Sequence, residues 1–174
     1  MNKNIIVVKD IVEEDCINYK KINMFIICPK CSFKCDKENK TQVCQNLSLN
    51  SLPDIRIDVK KLLLKYENNP LSEAVVLGGL EPFDTFDSVK KIVETFRNKT
   101  EDEIVIYTGY NPLEIKEELV WLSKYKNIIV KFGRFIPKNP PHYDEVLGVY
   151  LSSLNQYAAY ITPNFIKEVL YENY

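Results

Sequence analysis

The sequence predicts an α/β fold, a partial and open parallel barrel of five or six β/α units. Three observations carry that expectation. Short apolar runs alternate with stretches of helical periodicity, the pattern of right-handed βαβ crossovers feeding a parallel sheet. The 174 residues fall short of the roughly 200 that a closed eightfold barrel needs, so the sheet should stay open. Cysteines and glycines recur just past the ends of the apolar runs, where parallel barrels place their chemistry.

The elements follow in order. Residues 5–8 are β-branched and read as an edge strand. Cys16 lies in an acidic, irregular segment and reads as a partly buried bystander. Residues 24–27 form a short buried strand that runs into the cysteine-rich stretch, and residues 47–53 are polar and turn-like. Asp58 caps a helix whose Val59, Leu62, Leu63 and Tyr66 share one face, and Asn68-Asn69-Pro70 ends it. The unbroken apolar run 74–77 has the pattern of a strand buried on both faces, and Gly78-Gly79 closes it. A second helix starts near residues 84–87 and carries Val89, Ile92, Val93 and Phe96. Residues 104–107 are the next strand, with Thr108-Gly109 at its end. Asn111-Pro112 opens a helix that runs to about Tyr125. Residues 128–132 form another strand, 138–141 a stiff loop, 148–151 a last strand and 163–171 a closing helix.

Bulk properties narrow the function. Basic and acidic residues number 23 and 24, for a formal charge of −1, and no basic face argues for nucleic acid. No apolar run approaches the ~20 residues of a membrane span and no signal peptide opens the chain, so the expected location is the cytoplasm. With 45% hydrophobic residues the chain suits a single domain with one sizeable core.

The chemistry concentrates in Cys28-Pro-Lys-Cys31-Ser-Phe-Lys-Cys35 and the following Cys44, four of the five cysteines. Thiols this dense in a chain without a secretory signal point to metal ligation rather than disulfides. Two sites fit the spacing. Four thiolates, Cys28 included, would close a tetrahedral structural zinc site. Three would leave an iron–sulfur cluster with one open iron. His142, the lone histidine, reads as a surface residue.

Residues 24–35, Met-Phe-Ile-Ile-Cys-Pro-Lys-Cys-Ser-Phe-Lys-Cys, resemble the cluster loop of the radical S-adenosylmethionine (SAM) superfamily. Within it, the small activating proteins of anaerobic ribonucleotide reductase look most similar. Leu77-Gly-Gly-Leu-Glu-Pro-Phe83 is similar to their Gly-Gly-Glu-Pro segment, and Tyr107-Thr-Gly-Tyr110 to the strand end that follows. Phe132-Gly-Arg-Phe135 and Ser152-Ser-Leu-Asn-Gln156 resemble two late segments, in the family's order. There are departures. The last cysteine comes after an insertion, residues 36–43; Phe132 replaces an acidic residue; Leu154 interrupts Ser-Ser-Asn-Gln.

The resemblance implies one radical SAM domain over residues 1–174. Residues 1–23 would be an extension, 24–156 the core and 157–174 a C-terminal helix. It implies a [4Fe–4S] cluster on Cys31, Cys35 and Cys44, with SAM on the fourth iron and Cys28 left as a small buried residue. Gly78 and Gly79 would approach SAM because they leave backbone groups open to a ligand, with Pro82 completing the turn, and Glu81 would bond SAM or only brace the turn. Thr108, Asn155 and Gln156 would contact ribose or adenine, although Thr108 equally reads as a strand-end cap. Phe33 would pack under the loop or shield the cluster, and Val43 stands where the family often has an aromatic residue. The implied reaction is reductive SAM cleavage that generates a glycyl radical on the large subunit of anaerobic ribonucleotide reductase. The electron would come from flavodoxin or ferredoxin; Lys30, Lys34, Lys37 and Lys40 read either as a solvated loop or as a docking patch for that acidic donor. The alternatives are a radical SAM enzyme acting on a small molecule or another peptide, and a non-enzymatic zinc or electron-transfer module.

Overall fold

The computed structural model describes residues 4–171. Its centre is a six-stranded open sheet in the order β2 (Asp10–Asp15), β3 (Asn23–Ile27), β5 (Ala74–Gly78), β6 (Glu103–Tyr107), β7 (Ile128–Phe132) and β10 (Tyr157–Tyr160). The four strands from β3 to β7 are parallel, and the two edges, β2 and β10, run antiparallel. The fold is therefore α/β with a mixed, mostly parallel sheet. Four parallel strands replace the five or six β/α units predicted, because the chain after β7 returns antiparallel instead of crossing over again.

The helices are α1 (Lys34–Asn39), α2 (Val59–Glu67), α3 (Phe86–Arg97), α4 (Lys116–Leu122) and α5 (Pro163–Leu170). Along each parallel strand alternate residues face opposite sides. Val75, Leu77, Ile104, Ile106, Ile128 and Val130 pack with Leu62 of α2, Ile92 of α3 and Leu119 of α4. Ala74, Val76, Val105 and Ile129 instead pack with Tyr19, Leu147 and Leu151. All three crossover helices thus share one face. The parallel strands follow one another in chain order without reversing, so right-handed crossovers keep to that side. The opposite face is covered by the Tyr19 segment and a small hairpin of β8 (His142–Asp144) and β9 (Val149–Leu151).

The helix ends follow their sequence signals. Asp58 accepts the Lys60 N–H at 2.9 Å, and Thr162 accepts that of Phe165 at 3.1 Å. Asn111 and Glu114 form a capping box on a 3-10 turn, Pro112–Ile115, that leads into α4. That helix ends at Leu122, three residues before the expected Tyr125.

Five local expectations change. Residues 5–8 do form a strand, β1 (Ile5–Val8), but it pairs with β4 (Ile55–Asp58) in a separate ribbon. The true sheet edge is β2, whose Asp10, Glu13 and Glu14 break the apolar alternation in the segment read as irregular; charges of this kind protect an exposed edge. The strand at 149–151 belongs to the hairpin, not the main sheet. The C-terminal segment 157–174 opens with β10 before α5, a strand short enough to leave little periodicity. Cys16 is exposed rather than partly buried. Among the described residues no helix is long and apolar enough to cross a membrane.

Candidate cluster-binding site

A cavity of about 350 Å³ opens at the C-terminal ends of the parallel strands, and Cys31, Cys35 and Cys44 all line it. Phe25 of β3 and Tyr107 of β6 form part of its wall. Both also pack against the core on the helix-free side, so the cavity continues that face of the sheet. Its size falls in the range of small-molecule sites.

Each cysteine arrives by a different route. Cys31 lies on the loop after β3, whose Lys30 carbonyl accepts the Glu81 N–H at 2.9 Å. The Ser32 N–H donates to Asp84, whose second oxygen accepts the Tyr110 hydroxyl at 2.6 Å. Phe33 takes a left-handed backbone, φ 52°, which turns the chain into α1, and its N–H points at the Cys31 sulfur at 3.3 Å. Its ring packs against the core. Cys35 sits in the first turn of α1. The insertion 36–43 then returns the chain to the cavity: Asp36 Oδ1 accepts the N–H groups of Val43 and Cys44 at 2.7 and 2.8 Å. The segment that interrupts the sequence pattern is thus the device that presents the third thiol. Burial pushes the Cys31 thiol up to about 12 and raises that of Cys35, so ligation would release protons.

Cys28 takes no part in this wall. It is 5% exposed within the helix-face core, and its N–H donates to the Gly78 carbonyl at 2.9 Å. Among the described residues no three His, Cys, Asp or Glu side chains are grouped to hold a single metal ion. Cys31, Cys35 and Cys44 lining one cavity are a donor set that an iron–sulfur cluster takes.

Glu81 joins the strand ends. Its Oε1 accepts from the Thr108 hydroxyl at 2.7 Å and the Phe83 N–H at 3.2 Å, and Oε2 accepts from the Gly109 N–H at 2.9 Å. Burial raises its carboxyl to about 7, against the pull of these donors. Thr108 also accepts the Tyr110 N–H at 2.9 Å, so its hydroxyl is a strand-end cap with one lone pair spare. Gly79 lines the cavity with φ +75°, and a Cβ there would lie 2.8 Å from Ile27 Cγ2. Glycine is needed for the turn itself, not only for a ligand's approach. Gly78 lies inside β5, where a Cβ would meet Tyr107 and Phe25, and Pro82 is buried at the start of a 3-10 turn.

Gln156 is on the cavity wall, but its neighbour Asn155 is not. Asn155 points its amide at the Arg134 carbonyl, 2.8 Å away, and braces the loop. His142 pairs with Leu151 in the hairpin, away from the cavity.

Sequence reasoning missed Lys131. It is 6% exposed on β7, on the cavity side, and donates to the Gly133 carbonyl at 2.9 Å. Burial lowers its ammonium to about 8, opposed by Glu81 and Cys35. A lysine inside a strand buried at every position was the available signal.

Residues 20–154 match the family model described as a 4Fe-4S single cluster domain. No curated protein and no solved structure gives a match.

Proposed function

The chain belongs to the 4Fe-4S single cluster domain family, and from that premise we propose that it is a radical SAM enzyme of the activating type. One observation carries the reading. The cavity offers three cysteines, not four, with Cys28 withdrawn into the core. Cys31, Cys35 and Cys44 would hold three irons of a [4Fe–4S] cluster and leave the fourth for SAM. When bound, the cluster supplies the electron that splits SAM into methionine and a 5′-deoxyadenosyl radical.

The chain's own residues bind, orient and exclude water. Gly79 brings the backbone to the cavity, and Asn46 fixes its carbonyl by a 2.8 Å hydrogen bond. Lys131 would present its remaining N–H groups to a carboxylate. Phe25, Leu80 and Tyr107 supply apolar wall, and Gln156 a polar edge. Helices on one face only, with binding residues at the C-terminal strand ends, support a half-barrel of the radical SAM type.

The substrate in this reading is a glycine of a large partner, the large subunit of anaerobic ribonucleotide reductase. Lys30, Lys37 and Lys40 are exposed on the cluster loop and would receive an acidic flavodoxin or ferredoxin. Lys34 does not belong with them: its ammonium pairs with Glu114 at 3.4 Å and lies 4.1 Å from the centre of the Tyr110 ring.

The test is anaerobic reconstitution followed by reduction in the presence of SAM. A brown protein that forms 5′-deoxyadenosine, and a glycyl-radical EPR doublet on added reductase, is the expected result. Deoxyadenosine without the doublet moves the reading to another substrate. A cluster that does not cleave SAM leaves electron transfer.

A further inference from the structure

We propose that Arg134 is the positioning residue that moors the Cys35 arm over the cavity. The inference rests on the cluster reading above. The arm is α1 with its return to Cys44, and none of the residues of α1 is buried. Beyond the Phe33 ring at its N-cap, apolar packing therefore does not hold the helix that carries Cys35.

Arg134 is itself buried, 7% exposed, just past the end of β7. Its Nη1 and Nη2 donate to the two oxygens of Glu114 at 2.8 and 2.6 Å, a bidentate fork that fixes the guanidinium plane. Its Nε lies 3.2 Å from Glu38 Oε1 on α1, an ion pair without hydrogen-bond alignment. Lys34, at the start of α1, reaches the same Glu114. Arg134 and Glu114 thus form one anchored pair to which both ends of α1 attach. Gly109 borders both groups: a Cβ there would sit 3.5 Å from Arg134 Cγ and 3.7 Å from Cys35 Sγ, ordinary contact distances.

The other two thiols are moored differently. Cys31 is held through Lys30 and Ser32 to Glu81 and Asp84, without Arg134. Cys44 is tied to the arm by Asp36 and to the body by its neighbours, Asn46 donating to Gly79 and Gln45 accepting from Ser152. Loss of Arg134 should free Cys35 most, Cys44 less and Cys31 not at all.

Alkylation of the metal-free full chain with iodoacetamide, quantified cysteine by cysteine by mass spectrometry, reads this order. Cys16 is exposed and serves as reference, and buried Cys28 reports loss of the fold. In Arg134→Gln the Cys35 rate should rise about fivefold, the scale of losing a partly buried ion pair from a locally opening unit. Cys44 should rise less, and Cys31 and Cys28 should hold their wild-type rates. Glu38→Gln cuts the same link from the exposed side. It should raise Cys35 about twofold with Cys28 closed, as expected for a weaker, solvated pair. An unchanged Cys35 rate in Glu38→Gln overturns the assignment, as does a rise at Cys28 matching that at Cys35 in both variants. Iron and sulfide content after reconstitution tests the cluster reading separately. A wild-type chain that takes up no cluster defeats that reading and leaves the thiol order standing.

Discussion

In β5 every residue is buried, with Val76 and Leu77 at 0% exposure, while in α1 no residue is. Both regions border the candidate site, yet different forces hold them. The parallel strands are fixed by apolar burial on two faces, which is non-directional and strong in sum. The cysteine arm is fixed by a few directional contacts: Asp36 to two N–H groups, Arg134 to Glu38, and Lys34 to Glu114. A scaffold held by burial keeps its shape when a loop changes, and a loop held by polar contacts can be displaced without unfolding the scaffold. Stability and ligation should therefore respond to different substitutions.

The sharpest division is among the cysteines. Cys31→Ala, Cys35→Ala and Cys44→Ala should each lose the cluster or its activity, whereas Cys28→Ala should keep both. Cys28 belongs to the core and its truncation should cost stability alone, about 1 kcal/mol for a small buried side chain. Iron, sulfide and deoxyadenosine yields for the four variants check this. Cluster loss in Cys28→Ala with retention in Cys44→Ala would exchange their roles.

Leu77→Ala probes the scaffold from the other direction. Leu77 is fully buried between β5 and the helices, so its truncation should destabilise the chain by about 3 kcal/mol. Denaturant unfolding measures it. Iron uptake per folded chain should stay near wild type, and a loss parallel to the stability would mean that arm and scaffold are one unit.

What could be read in advance follows the same division. The runs 74–77, 104–107 and 128–132 were legible as strands because burial on both faces leaves an unbroken apolar signature. The cysteines and Gly78-Gly79 were legible because few other residue types serve those purposes. Lys131 is harder to read because the cavity wall it joins, Glu81 included, is assembled by the sheet rather than by sequence proximity. Arg134 is legible only as part of a motif: Glu114 and Glu38 come from other elements, and nothing local marks them as its partners. The hairpin β8–β9 is too short for periodicity to register, and the charges of β2 hide its alternation. Directional contacts between distant segments leave no pattern in a sequence, and the arm depends on them.

Glu81 belongs to both regions, since it joins the strand ends and holds the Lys30 loop. Burial raises its carboxyl from the ordinary value of 4.5 to about 7. The folded state thus favours the protonated form more than the unfolded state does. That contribution is full below the unfolded pKa and is lost as pH rises through about 7. The melting temperature of the metal-free chain should fall by several degrees between mildly acidic and mildly alkaline pH. Glu81→Gln should flatten that part of the profile. An unchanged slope in the variant would assign the effect to another group.

The smallest effect on stability, and the most direct test of the comparison, is expected at Asp36. Its Oδ1 accepts the N–H groups of Val43 and Cys44, and the arm has no buried residue in α1 to share the load. Asp36→Ala leaves both donors without that acceptor, at a local cost of about 1 kcal/mol each where water does not replace it. Because the parallel strands do not depend on the arm, the global melting temperature should move by no more than a degree or two, within the range for exposed loops. Iron uptake should fall, since Cys44 is no longer aimed into the cavity. Asp36→Asn keeps an amide oxygen able to accept both N–H groups and should restore most of the uptake. Melting curves of the metal-free chain, set beside iron per chain after reconstitution, separate the two regions. If Asp36→Ala lowers the melting temperature as far as Leu77→Ala does, arm and scaffold unfold together and the distinction between them fails.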